Sequence, residues 1–98
     1  MLSRSIRAAA ERSAALSRLL SNPTRVFIIL LLHERGGAYV QKIADELEVS
    51  QSAVSHQLGL LAEEGIVSCK REGRDVFYTI AKKARARKIL RALRVLRT

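Results

Sequence analysis

Residues 49–65 read VSQSAVSHQLGLLAEEG. The chain carries a formal charge of +9, yet no Lys, Arg, Asp or Glu occurs from Val49 to Ala62. Ser50 is suited to cap a helix that starts here, and Gly65 to end it. On a helical projection Gln51, Ser52, Ser55, His56 and Gly59 fall on one side. Ala53, Val54, Leu58, Leu60 and Leu61 fall largely on the other. One side therefore reads as core-facing. The other offers neutral hydrogen-bonding groups on a strongly basic protein.

The flanking sequence gives this helix its context. Upstream, Gln41 to Glu48 reads as a short helix with Ile43, Ala44 and Leu47 turned inward. Val49-Ser50 is the turn between the two helices. Downstream, Ile66–Arg71 and Asp75–Ile80 read as two strands joined through Glu72-Gly73, with Gly73 free to take positive φ. Two helices joined by a tight turn and followed by a hairpin make a winged helix-turn-helix. The fold class is thus mainly α with a small β-hairpin wing.

Further upstream, Pro23 to Glu34 reads as a helix that Ser21 or Asn22 can cap, with Pro23 in its first turn. Val26 to Leu32 is apolar nearly all round, which marks a central buried helix. Gly36-Gly37 ends it, and Ala38-Tyr39-Val40 reads as an extended link. At the N-terminus Leu2, Ile6, Ala9, Ser13, Leu16 and Leu20 step by four and three, the seam spacing of a helix packing on a helix. A last helix over Lys82–Arg97 places Ala86, Ile89, Leu90, Leu93 and Leu96 on one face. A single domain over 1–98 is expected: a first helix (1–20), a winged-helix core (21–80) and a basic last helix (81–98).

Composition narrows the function. Ninety-eight residues with 48% apolar content can form one small core, made aliphatic by the lack of Trp and only 4% aromatics. A domain of this size often gains stability by dimerising. One Cys allows no internal disulfide, so a reducing cytoplasm is the simplest compartment. The longest apolar run, Val26–Leu32, falls far short of the ~20 residues of a membrane span. The Arg- and Ser-rich N-terminus could be a transit peptide, although a structured helix is the simpler reading. Residues 36–69 carry −4, whereas 81–98 carry eight Lys/Arg and no acid. This excess points to a polyanion, nucleic acid before membrane. No nucleophile–base set, paired carboxylates or phosphate-cradling glycine loop is visible, so an enzyme is not expected.

A helix-turn-helix places its second helix in the DNA major groove. Gln can bond bidentately to adenine there, and Ser can donate or accept. Charge belongs at the periphery, with the phosphates. The stretches SNPTRVFIILLL, KIADELEVSQSAVSHQLGLL and GIVSCKREGRDVFYTI, over about residues 21–80, resemble the ArsR/SmtB family of winged-helix repressors. The resemblance implies a homodimer formed through the first and last helices and an imperfect palindrome in operator DNA. In that dimer Leu2, Ile6, Leu16, Leu20, Ile89, Leu90, Leu93 and Leu96 would be interface residues. By position, Gln51, Ser52, Ser55 and His56 would contact the groove. Ser50 would cap the helix and present its amides to a phosphate. Lys70, Arg71 and Arg74 would bring the wing to the backbone or an adjacent minor groove, unless Glu72 and Asp75 pair with them.

The sequence departs from the family pattern in two respects. Gly59 stands where the family usually carries Arg or Lys. The third helix has no Cys or His, and the last has no Asp, Glu or His. Metal sensing by the family's usual sites is therefore not expected, and no cofactor is implied. Cys69 reads as a small packed residue or, alternatively, a thiol switch. The expected function is a cytoplasmic, nucleoid-associated, sequence-specific DNA-binding transcriptional regulator, a repressor. Two alternatives stand beside it: an architectural DNA-coating protein, favoured by Gly59 and the basic last helix, and a winged-helix protein-interaction module.

Overall fold

The computed structural model describes residues 3–97, with the side chains of residues 3–94. The elements are α1 (Arg4–Leu20), α2 (Pro23–Arg35), β1 (Ala38–Tyr39), α3 (Val40–Leu47), α4 (Gln51–Glu63), β2 (Val67–Glu72), β3 (Asp75–Ile80) and α5 (Ala84–Arg97). The three strands form one antiparallel sheet in the order β1-β3-β2.

Local chemistry explains most boundaries. The Ser3 hydroxyl accepts from the Ile6 amide at 3.2 Å and opens α1. Ser21 and Asn22 divide the next junction between them. The Ser21 hydroxyl donates to the Arg18 carbonyl at 2.7 Å and closes α1, while Asn22 Oδ1 accepts from the Arg25 amide at 3.2 Å and opens α2. Gly36 ends α2 at φ 74°, a conformation glycine adopts without penalty. The turn between α3 and α4 has no glycine. Glu48 itself takes the left-handed conformation, at φ 57°.

The core is aliphatic throughout. Ile28, Ile29 and Leu32 of α2 meet Ile43 of α3, Val54, Leu58 and Leu61 of α4, Val67 of β2 and Ile89 of α5. The expectation that α2 is buried all round holds for only part of its surface, because Phe27 is 54% exposed. Ala53, expected on the inner side of α4, is also exposed.

Residues 38–40 are not a simple link. Ala38 and Tyr39 pair with Tyr78 and Phe77 as a third strand, and Val40 already belongs to α3. Two residues carry too little periodicity to signal a strand. The edge of β3 creates it. Gly37 makes the approach, at φ 133°: a Cβ there would lie 2.5 Å from the Phe77 ring.

The expected seam residues have different fates. Ile89 and Leu93 are only 1% and 3% exposed, so they pack into the chain's own core. Leu16, Leu20 and Leu90 are half-buried against that core. Ile6, at 55% exposed, is the expected contact left uncovered. Leu2 and the side chain of Leu96 lie outside the described residues. From Ser3 to Ala14 every residue but Ala8 is exposed. The molecule is 54 Å long and its radius of gyration is 14.8 Å, against about 13 Å for a compact chain of this length. No single described helix is long and apolar enough to cross a membrane.

Gly37→Ala should lower unfolding stability by ~1–3 kcal/mol in urea melts, since it adds a left-handed strain and a ring clash. Gly73→Ala, at φ 63° with open space around it, should cost less because only the backbone term applies.

Candidate nucleic-acid interface

Val54, Leu58 and Leu61 follow the i, i+4, i+7 spacing and are completely buried. This narrow stripe anchors α4 and leaves its opposite side free. Gln51, Ser52, Ser55, His56 and Gly59 are all exposed on that side. Ser50 Oγ accepts from the Ala53 amide at 3.1 Å, so it caps α4 through its side chain. The other first-turn amides still point outward, where an anion is favoured.

A residue pair missed at the sequence level fixes α4 from the side. Arg25 Nε of α2 donates to Gln57 Oε1 at 2.9 Å, both groups being half-buried. Gln57 is therefore engaged with the protein and not with the outer face. Its position one residue past His56 on the projection was the only available hint. Arg25 carried no hint, because its partner is thirty-two residues away.

The wing turns back through Gly73 and Arg74, with Glu72 paired to Asp75. Gly73 at φ 63° occupies the first loop position, as a tight hairpin requires. Strand pleating separates the expected wing contacts. Lys70 pairs with Phe77 and Arg71 with Val76, so the two adjacent cations stand on opposite faces of the hairpin. Arg74 alone of the three lines the groove between wing and α4. This groove, about 460 Å³, is bounded by Gln51 and Ser55 of α4, Gln41 and Lys42 of α3, and Arg74 with Asp75 of the wing. Asp45 also borders it, so its potential is mixed rather than purely cationic. Gln41 and Lys42 are exposed in the first turn of α3, the helix that crosses the backbone in this motif. Their polarity beside a tight turn was the missed signal.

Among the described residues no ion pair joins Glu72 or Asp75 to the cations of the wing. The Tyr39 hydroxyl donates to Glu72 Oε2 at 2.7 Å, and Tyr39 packs edge-on against Phe77 at 5.0 Å. The hydrogen bond to Glu72 raises the Tyr39 pKa above its ordinary value, assisted by partial burial and by the charges of Glu72 and Asp75. Burial raises that of Tyr78, with contributions from the neighbouring Cys69 and an opposing one from Arg71. Among the described residues the ion pairs are Arg35–Glu46 and Arg85–Glu64, both away from the wing. Gly59 needs no explanation from packing, since a Cβ there would meet nothing within 4 Å. Cys69 is exposed rather than packed. His33 is also exposed, at the end of α2.

The sequence model of bacterial regulatory proteins of the arsR family matches residues 22–68, which span α2, the helix-turn-helix and the start of the wing. A helix-turn-helix-type transcriptional regulator of Methanocaldococcus jannaschii, MJ1325, is 41% identical over 70 residues, covering 71% of this chain and 79% of that one. The chain belongs to the ArsR family. Its winged helix-turn-helix is shared with the transcriptional repressor BigR of Xylella fastidiosa, at a TM-score of 0.78 and 27% identity over 93% of this chain and 89% of that one. It is shared too with the homodimeric winged helix-turn-helix DNA-binding domain of Mb0332 from Mycobacterium bovis, at a TM-score of 0.73 and 28% identity, covering 97% and 87%. ArsR-family proteins are DNA-binding transcriptional regulators and not enzymes.

Ser50→Ala should cost ~1 kcal/mol of unfolding stability in denaturant titrations, through loss of the cap on the Ala53 amide. The same change at the exposed Ser52 should shift the midpoint little.

Proposed function

We propose that this ArsR-family protein is a homodimeric repressor that reads an imperfect palindrome with α4. The observation that carries the reading is the outer face of α4: exposed, uncharged, small and facing a groove shared with Arg74. Gln51 and Ser55 supply the donors and acceptors that base edges demand, with Ser52 and His56 beside them. Lys42 and Arg74 border the same groove, where phosphates on either side of a bound duplex would lie. Ser50 brings the amino end of α4 to a phosphate. Lys70 and Arg71, on opposite faces of the hairpin, engage different phosphates or the adjacent minor groove.

Dimerisation is supported by Ile6 of α1, which is exposed among the described residues, and by the homodimeric state of Mb0332. Leu16, Leu20 and Leu90, half-buried against the core, would contribute to the interface. Ile89 and Leu93, buried in the core, would back α5 in that interface. Two copies of α4 would then enter successive major grooves about 34 Å apart. The protein does not sense metal through the family's usual positions. That reading rests on the residue types: residues 41–48 hold no Cys or His, and residues 82–97 no Asp, Glu or His. Its place of action is the chromosome, within the cytoplasm.

A second reading draws on α5, which carries cations without acids, and on Gly59, which removes an expected phosphate contact. It makes the protein an architectural one that coats DNA with little sequence preference. Footprinting separates the two: one protected palindrome supports the repressor, and uniform coverage supports the coat.

Gln51→Ala combined with Ser55→Ala should weaken binding to a selected operator by ~1–3 kcal/mol per lost base contact while sparing random duplex. Equal losses on both duplexes would reduce α4 to a backbone contact. Arg74→Ala should weaken both duplexes alike and lower the salt slope by about one per protomer in titrations at several ionic strengths.

A further inference from the structure

The outer half of the wing carries Arg74 and has few attachments. The last pair that β1 makes with β3 is Tyr39 with Phe77. Beyond that row Arg71, Glu72, Asp75 and Val76 pair only with one another. Among the described residues, one side-chain hydrogen bond reaches this outer half: the Tyr39 hydroxyl donates to Glu72 Oε2 at 2.7 Å. By register Tyr39, Phe77, Lys70 and Glu72 share one face of the sheet. The Tyr39 ring packs edge-on against Phe77 and extends diagonally across β3 to the end of β2. The Phe77 ring is seated in turn against Gly37, where an added Cβ would lie 2.5 Å from it.

Tyr39 is also the N-cap residue of α3. That position favours Ser, Thr, Asp or Asn, whose side chains bond the first-turn amides. Tyr39 makes no such bond, and its side chain is committed to the wing instead. Its backbone starts α3, which carries Lys42 at one edge of the groove. Its hydroxyl holds the hairpin that carries Arg74 at another edge.

We propose that Tyr39 is a positioning residue for DNA binding, a strut that sets the span between Lys42 and Arg74. All three residues line the groove. Phosphates of a bound duplex lie at fixed separations, so a wing free to swing would lose affinity to the ordering of its tip. The strut removes that cost in advance. The contact of Arg74 with phosphate rests on the function proposed above; the strut itself does not.

Tyr39→Phe removes the hydroxyl and keeps a ring over Phe77. In the free chain, amide nitrogen relaxation should show lower backbone order at Gly73 and Arg74, with no change at Gln51 and Ser55. Unchanged order at the wing tip would overturn the strut. In titrations with the selected operator, Tyr39→Phe should weaken binding about three- to tenfold, the range of one hydrogen bond. No loss, where Arg74→Ala does weaken binding, would overturn the proposal. In the Arg74→Ala background the same change should cost less than about twofold, because the side chain it positions is gone. Equal losses in both backgrounds would reduce Tyr39 to general support of the fold and overturn its positioning role. Glu72→Gln keeps an acceptor for the hydroxyl, so Tyr39→Phe should retain its effect there. Glu72→Ala removes the acceptor, and the effect should vanish. A loss that persists in Glu72→Ala would assign the hydroxyl another partner and overturn the strut. If Arg74→Ala alone leaves DNA affinity unchanged, the phosphate contact proposed above fails, and the order at the wing tip decides the strut.

Discussion

Everything at the candidate interface depends on how little of α4 is needed to hold it. Three side chains, Val54, Leu58 and Leu61, carry the helix into the core. Full burial of each is worth about 1.5–3 kcal/mol relative to exposure. One cap at Ser50 and one lateral hydrogen bond from Arg25 to Gln57 fix its start and its rotation. With anchoring confined to a narrow stripe, the rest of the circumference is free to carry Gln, Ser, His and Gly. A wider apolar stripe would have tilted those groups toward the protein interior.

The same economy shapes the electrostatics. A helix that meets base edges gains from neutral groups, because each donor or acceptor can be matched without the desolvation penalty of a charge. The cations stand off to the sides, at Lys42 on α3 and Arg74 on the wing. Beyond roughly 8–10 Å, salt screens exposed charges from one another. Of the acids in residues 36–69, Asp45 borders the groove and tempers the pull of these cations.

α1 and α5 follow different rules although both carry seam-like spacing. α5 completes the core through Ala86, Ile89 and Leu93, and that burial offsets the mutual repulsion of its cations. α1 is anchored only at its C-terminal end, where Leu19 is buried. Among the described residues, all of Ser3–Ala14 but Ala8 are exposed, and a helix with so little cover is marginal in water by itself. The elongated outline of the chain is the geometric trace of that imbalance.

The sequence by itself determined the helix-turn-helix, the hairpin and the polar face of α4. These follow from local rules: helical period, a capping Ser, glycines at turns, and alternation along short strands. The family likeness was legible in the same residues. Tertiary structure alone decided four matters. β1 exists because β3 presents an edge to Ala38 and Tyr39. Lys70 and Arg71 part company because pairing register fixes their faces. Arg25 reaches Gln57 because α2 crosses α4. Ile89 and Leu93 are buried within the chain's own core, although their periodicity is equally that of an interface. Each outcome depends on which residue distant in the chain becomes a neighbour, and periodicity states only that an apolar face will be covered, not by what.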